Sequence, residues 1–233
     1  MSTTTATKER PILFSGPMVR AILKDQKKQT RRIVKRQRDM EFDVNDPTYG
    51  PYWLSYATEA DGEDAKVRCP YGKPGDMLWV RETFCIESSR EVTYEPPFDD
   101  GRPIRHHNDE HWGPWWQQPH YRATDPTPEL EVGTGDPGVK WRPSIFMPRW
   151  ASRIDLEITA VRVERLQSIS YADARAEGVT LYNGKWWDGS WIVGGKWDTP
   201  VQAFCALFES INGPGSWAAN PWVWVVEFRR VQP

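Results

Sequence analysis

The sequence predicts an α+β fold: a mixed β-barrel with flanking helices and two large irregular insertions. Three observations point to it. An amphipathic stretch at Pro17–Val34 passes from helical spacing into an apolar extended run. A long alternating segment from Ile154 changes phase part-way, as a strand crossing a small barrel must. Two helix starts of the capping-box type, at Ser170 and Thr199, precede a closing alternating strand at Trp222–Val231. The order β-α-β, strands, α, α, β suits strands that close on themselves with helices packed outside.

The elements follow in chain order. Met1–Arg10 is polar and reads as a disordered tail. Residues 11–233 read as a single domain, with insertions at about 35–64, 88–142 and 181–198. Pro11–Phe14 is a short strand, and Ser15 or Gly16 leads into the first helix. Pro17 suits the first helical turn, where a missing N–H costs nothing. Met18, Val19, Ile22 and Leu23 then share one face. The polar run from Lys24 ends that face. Lys27, Lys28, Gln29, Thr30, Arg31 and Arg32 form a basic, Thr-containing corner before Ile33 and Val34 turn apolar. Tyr52–Tyr56 is a strand candidate inside the polar segment that follows.

Lys73–Asp76 reads as a turn and Met77–Ile86 as one strand. Leu78, Val80, Phe84 and Ile86 share a parity that Glu82 interrupts. That carboxylate needs a partner, and Arg81 points to the opposite face. Residues 88–142 are rich in Pro, Gly, Asp, His and Trp and show no sustained period. They read as a long insertion with room for one hairpin, forming a wall or lid. Gly133–Gly138 satisfies G-x-G-x-x-G, but Pro137 sits inside it, no strand precedes it and no helix follows. It is not a dinucleotide loop. His106, His107, His111 and His120 all fall in this insertion. No helix pattern supports the His107/His111 spacing, and no cysteine or carboxylate cluster completes a site. Neither a metal nor a cofactor is expected.

From Ile154 regularity returns. Ile154, Leu156 and Ile158 alternate, then Val161 and Val163 on the other parity, which predicts a bulge or bend near Thr159-Ala160. Ser170 with Asp173 starts a two-turn helix that Gly178 stops. Thr199 with Gln202, and Pro200 between them, starts a second. Its face holds Val201, Phe204, Leu207, Phe208 and Ile211, and Gly213 ends it. In the closing strand Trp222, Trp224, Val226 and Phe228 alternate with Val223, Val225, Glu227 and Arg229. It reads as buried at its start and half exposed at its end.

Composition narrows the function classes. The 233 residues carry a net charge of −2, unevenly spread. Lys8–Arg38 holds eleven Lys/Arg against Glu9 and Asp25, a balance of +9, and the remainder is −11. A mildly acidic body with one basic segment suggests a local site for a phosphate-bearing partner, not a general nucleic-acid coat. No run is long and apolar enough for a membrane span, and the N-terminus lacks the apolar stretch of a signal peptide. Cys69, Cys85 and Cys205 are odd in number and far apart, which predicts reduced thiols and a cytoplasmic setting, the host's if the chain is phage-encoded. The fourteen tryptophans either pack down irregular loops or offer faces for bases to stack on, and packing is favoured.

The string ILKDQKKQTRRIV at Ile22–Val34 resembles the signature of the ASCH family, a branch of the PUA-like β-barrels, in its members carried by bacteriophages and prophages. GDMLWVRETF at Gly75–Phe84, ISYADARAEGV at Ile169–Val179 and WVWVVEFRRV at Trp222–Val231 fit the same family. The resemblance implies a PUA-like barrel. Small ASCH proteins are amidohydrolases that remove the acetyl group from the exocyclic amine of acetylcytidine, using a lysine, a threonine three residues later and a glutamate on a later helix. Matching motif to motif, the catalytic residues implied are Lys27, Thr30 and Glu177, converging on one pocket. Arg32, two residues past the threonine, with Arg31 and Lys28, is implied to bind substrate. The sequence departs from the family where Gly-Arg-Lys-Thr is common: here stands Asp25-Gln26-Lys27-Lys28.

The chemistry is coherent on those residues. Thr30 would attack the acetyl carbonyl, Lys27 would take its proton, and Glu177 would orient the amine or pass a proton to the leaving group. A lysine base needs its pKa lowered by burial or neighbouring cations. Two other readings stand beside this one. The chain is an RNA-binding or RNA-processing module, with Lys27, Arg31 and Arg32 on phosphates of single-stranded RNA and tryptophans stacking bases. Or it is a non-enzymatic phage accessory factor with a protein partner.

Overall fold

The computed structural model describes residues 7–35, 41–42, 52–56, 65–89, 99–110, 113–125, 140–187 and 197–231. The architecture is α+β, mostly strands, with three α-helices among the described residues. The chain opens with β1 (Glu9–Leu13), α1 (Gly16–Leu23) and β2 (Gln29–Ile33), then β3 (Glu41–Phe42), β4 (Tyr52–Tyr56) and β5 (Ala65–Arg68). It continues with β6 (Met77–Arg81), β7 (Phe84–Ser89), β8 (Arg105–Asp109), β9 (Gly113–Tyr121) and β10 (Asp155–Arg165). The last third holds α2 (Tyr171–Ala176), β11 (Thr180–Tyr182), β12 (Lys185–Trp187), α3 (Pro200–Asn212) and β13 (Trp222–Val231).

Five strands form one sheet in the order β1-β6-β10-β13-β2. Its hydrogen-bonded order begins at β1 and ends at β2, so no closed barrel is present among the described residues. Two three-stranded sheets, β3-β4-β5 and β7-β9-β8, and a β11-β12 hairpin complete the strands. Two compact units result. The first comprises Met1–Arg10, Ala21–Leu78 and Leu156–Pro233; the second comprises Pro11–Arg20 and Trp79–Asp155.

In the first unit α2 and α3 pack on β13 because their apolar faces match in period. Ala174, Phe204 and Phe208 meet Val223 and Val225, with Leu166, Ile169 and Val179 closing the cluster. Both capping boxes form as the sequence expects: Ser170 with Asp173, and Thr199 with Gln202. Ile211, expected in the core, is exposed in the last turn of α3. Along β10 burial moves from Leu156 and Ile158 to Val163, the opposite parity, which is the expected change of phase.

Three expectations change. Glu9 and Arg10 belong to β1 and not to a loose tail. Arg10 pairs with Asp76 at 2.8 Å, and the Lys8 amide donates to the same carboxylate. Residues 1–6 lie outside the described residues. The basic corner is shorter than expected, since Gln29–Ile33 is strand β2. It pairs antiparallel with β13 from Gln29↔Glu227 to Ile33↔Val223. Backbone pairing with a buried strand outweighs the low β-preference of a charged run. Met77–Ile86 is two strands, broken at Glu82-Thr83.

The second unit explains that break. Arg153 donates to both Glu82 oxygens at 2.9 and 3.1 Å, supplying the partner the carboxylate needs. Phe84, Tyr121, Met147 and Ala151 form the local core. The insertion at 88–142 is more regular than expected. β8 and β9 pair from Arg105↔Gln117 to Asp109↔Gly113, and β9 also pairs with β7. His107 stacks on Trp115 at 3.8 Å and His120 pairs with Glu87. His111, Trp112, Gly133–Gly138 and Trp191 lie outside the described residues. Burial raises the thiol pKa of all three cysteines, that of Cys85 up to about 12. No helix among the described residues is long and apolar enough to cross a membrane.

Candidate active site around Lys27 and Glu177

All of the candidate residues lie in the first unit. α1 ends at Leu23, and Asp25 takes a left-handed conformation (φ 57°) that an aspartate tolerates better than most residues. The Gln26 and Lys27 amides then both donate to the Ala21 carbonyl, at 2.8 and 3.1 Å, which closes the helix and aims Lys27 inward. On the other side, α2 ends with Glu177 at its C-cap. Gly178 follows at φ 97°. A Cβ at Gly178 would lie 3.1 Å from the Ala21 Cβ and 3.2 Å from the Lys27 Cβ, so only glycine lets the two segments approach. Lys27 and Glu177 form an antiparallel bridge, and the Lys28 amide donates to the Ala176 carbonyl at 2.8 Å.

The side chains meet inside this joint. Lys27 Nζ donates to Glu177 Oε2 at 2.8 Å and to the Glu177 carbonyl at 2.8 Å. The Lys27 side chain is 0% exposed and that of Glu177 2%. Arg31 holds the other carboxylate oxygen, with Nη1 at 3.1 Å from Glu177 Oε1. Its Nε lies 3.1 Å from Glu164 Oε1, and Nη2 donates to the same oxygen and approaches Asp173 at 3.5 Å. Arg162 ties this layer together through Glu164 and Asp173, each at 3.1 Å, and through Glu227. Gln29, on the same face of β2 as Arg31, donates to the Asp173 carbonyl at 2.8 Å.

Electrostatics follow from that enclosure. Burial pushes the Lys27 pKa below its ordinary value; the Glu177 charge and hydrogen bond pull it back, and Arg32 and Arg31 lower it again. Burial would raise the Asp173 carboxyl, but the Ser170 hydroxyl and the Arg31 and Arg162 charges hold it below the usual range. Glu177 is therefore held by both Lys27 and Arg31, and burial biases the Lys27 amine towards its neutral form.

Lys27, Arg31 and Glu177 are brought together. Thr30 is buried at 2% exposure on the opposite face of β2 from Gln29 and Arg31, beside Val226, and its hydroxyl makes no hydrogen bond among the described residues. Arg32 shares that face, and its charge bears on Lys27. Arg31, expected at substrate, is instead fully covered and committed to three carboxylates. Lys28 is 59% exposed and pairs with Asp25 at 3.0 Å, away from the buried joint. Glu164, Asp173 and Arg162 were not among the residues the sequence singled out. A signal for two of them exists: Arg162 and Glu164 alternate with Val161 and Val163 on β10 and so share one face.

No family model, curated protein or solved structure matches this chain.

Proposed function

We propose that the chain is an amidohydrolase of the ASCH type, acting on an acylated nucleoside such as acetylcytidine, on a PUA-like scaffold whose barrel is represented by the five-stranded sheet. The observation that carries the reading is the buried contact of Lys27 with Glu177, two residues 150 positions apart. A lysine base must be neutral to accept a proton, and burial biases Lys27 that way. A threonine nucleophile must not be tied up elsewhere, and the Thr30 hydroxyl is uncommitted among the described residues.

In the reaction, Thr30 Oγ1 attacks the acetyl carbonyl carbon and its proton passes to Lys27 Nζ. The tetrahedral oxyanion collapses, the C–N bond breaks, and the proton moves from Lys27 to the departing cytosine amine. Water then hydrolyses the acyl-threonine and releases acetate, with Lys27 again taking and returning the proton. Glu177 orients the amine and stabilises its protonated form; Arg31 holds that carboxylate in place. Arg32 is the donor for the oxyanion or the substrate. Because Lys27 is fully covered, the cycle includes an opening step that admits the acyl group.

The test is incubation of the protein with acetylcytidine and mass spectrometry of the nucleosides. Cytidine and acetate should accumulate. Thr30→Ala should abolish the release and Thr30→Ser should retain part of it, because the hydroxyl survives. Intact acetylcytidine after prolonged incubation would remove the reading, and full activity in Thr30→Ala would remove the nucleophile.

A further inference from the structure

The second unit carries a surface of a different kind. Residues 140–154, KWRPSIFMPRWASRI, hold Lys140, Arg142, Arg149 and Arg153 and no acidic residue. Arg149 and Arg153 are matched, by Asp155 at 3.0 Å and Glu82 at 2.9 Å. The others are not. Among the described residues no carboxylate lies within ion-pair range of Arg81, Arg122, Lys140 or Arg142. Elsewhere in the protein the buried arginines, Arg31 and Arg102, each hold two or more carboxylates. Here four cations of the second unit without a carboxylate partner among the described residues belong to neighbouring stretches of chain.

Local pairing makes it continuous. The Phe84 and Arg142 backbones exchange hydrogen bonds at 3.2 and 2.7 Å, and Arg81 Nη1 donates to the Ile145 carbonyl at 3.2 Å. Residues 81–84 and 142–145 thus run side by side. The Arg122 amide is fastened to the same edge through the Thr83 carbonyl at 3.0 Å. Two guanidiniums are braced on indoles: Arg81 lies 4.6 Å from the Trp79 ring centroid and Arg122 5.9 Å from that of Trp141. Stacking fixes a guanidinium's plane while leaving N–H edges for an oxyanion. At the tip, the 3-10 turn Ser144–Phe146 presents Ile145 at 58% and Phe146 at 68% exposure. The Phe146 ring is thus open to a flat partner.

We propose that this edge binds single-stranded nucleic acid. Phosphates lie along Arg142, Lys140, Arg122 and Arg81, and an unstacked base lies on Phe146. The partner is single-stranded because a duplex hides its base faces, and stacking on an exposed ring requires one to be free. The inference is independent of the Lys27 chemistry, since none of these residues belongs to that site.

The experiment measures binding of the full chain to labelled oligouridine, oligothymidine and a duplex of equal length at two ionic strengths. Either single strand should bind more tightly than the duplex. Phe146→Ala should weaken binding by about 5- to 100-fold, the equivalent of one stacked base, with an unchanged thermal melt because the ring is exposed. Lys140→Gln combined with Arg142→Gln should flatten the log affinity against log salt slope by about 1.4, or about 0.7 per phosphate contact. Undetectable binding at low salt overturns the proposal, as does duplex binding equal to that of the single strands. Loss of binding in Lys28→Gln with ordinary affinity in the Phe146 and Lys140/Arg142 variants also overturns it, by moving the site to the first unit.

Discussion

Each unit buries a cluster of opposite charges, and the two clusters differ in their cations. In the second unit both are arginines. Arg153 grips Glu82 with two bonds and lies 3.8 Å from the Tyr121 ring centroid. Arg102 bonds Asp100, Asp125 and the Pro119 carbonyl, with Tyr121 on its other side. The Tyr121 hydroxyl donates to the Ala151 carbonyl. Arginine does not lose its proton at any ordinary pH, so the cations of such a cluster keep their charge and the cluster serves as a joint. In the first unit Glu177 faces a lysine as well as Arg31, and three residues from that lysine Thr30 makes no side-chain hydrogen bond among the described residues. Buried charge by itself therefore does not mark chemistry. The proposed chemistry rests instead on an amine that can shed its proton beside a carboxylate that orients it.

The comparison is broken or sharpened by removing one carboxylate from each cluster. Glu82→Ala leaves the half-buried Arg153 without its carboxylate and still charged, and urea denaturation should show a loss of up to about 3–5 kcal/mol. Glu177→Ala should cost less, about 1–3 kcal/mol, because Lys27 can become neutral and Arg31 keeps Glu164 and Asp173. Equal costs would mean that lysine and arginine play the same structural part in the two units.

A smaller effect gives the sign of the lysine shift. The folded pKa of Lys27 lies below its ordinary value, so the unfolded chain binds more protons at this position. Its contribution to stability should rise with pH from the folded pKa towards about 10.4. Urea titrations of the unaltered chain and Lys27→Met across that range should show their stability difference moving in favour of the unaltered chain as pH rises. A difference moving the other way would show that Glu177 outweighs burial and keeps the amine charged.

Much of the fold was legible because its signals are local. Pro17 and the Met18–Leu23 face gave α1, the two capping boxes gave α2 and α3, and strict alternation gave β13. The break at Glu82 was half legible. The sequence shows that the carboxylate needs a partner, but Arg153 stands 71 residues away and nothing in the spacing points to it. The start of β2 was hidden for a related reason: its charges look solvated until Glu164, Asp173 and Glu177 arrive from later elements. The same later elements set Arg31 against three carboxylates. Lys27 and Glu177 were legible only as two motifs, and the Gly178 turn that joins them acts through a close approach that no linear pattern displays.

The central claim is that Lys27, and not its neighbour, is the base. The direct measurement is the rate of acetylcytidine hydrolysis by Lys27→Met and Lys28→Met, each checked for an intact melt. Methionine fills the buried Lys27 space without an amine, and Lys28 is an exposed side chain outside the joint. The account predicts a fall of about 10² to 10⁴ for Lys27→Met and a rate close to that of the unaltered chain for Lys28→Met. Turnover lost in Lys28→Met and kept in Lys27→Met would contradict it.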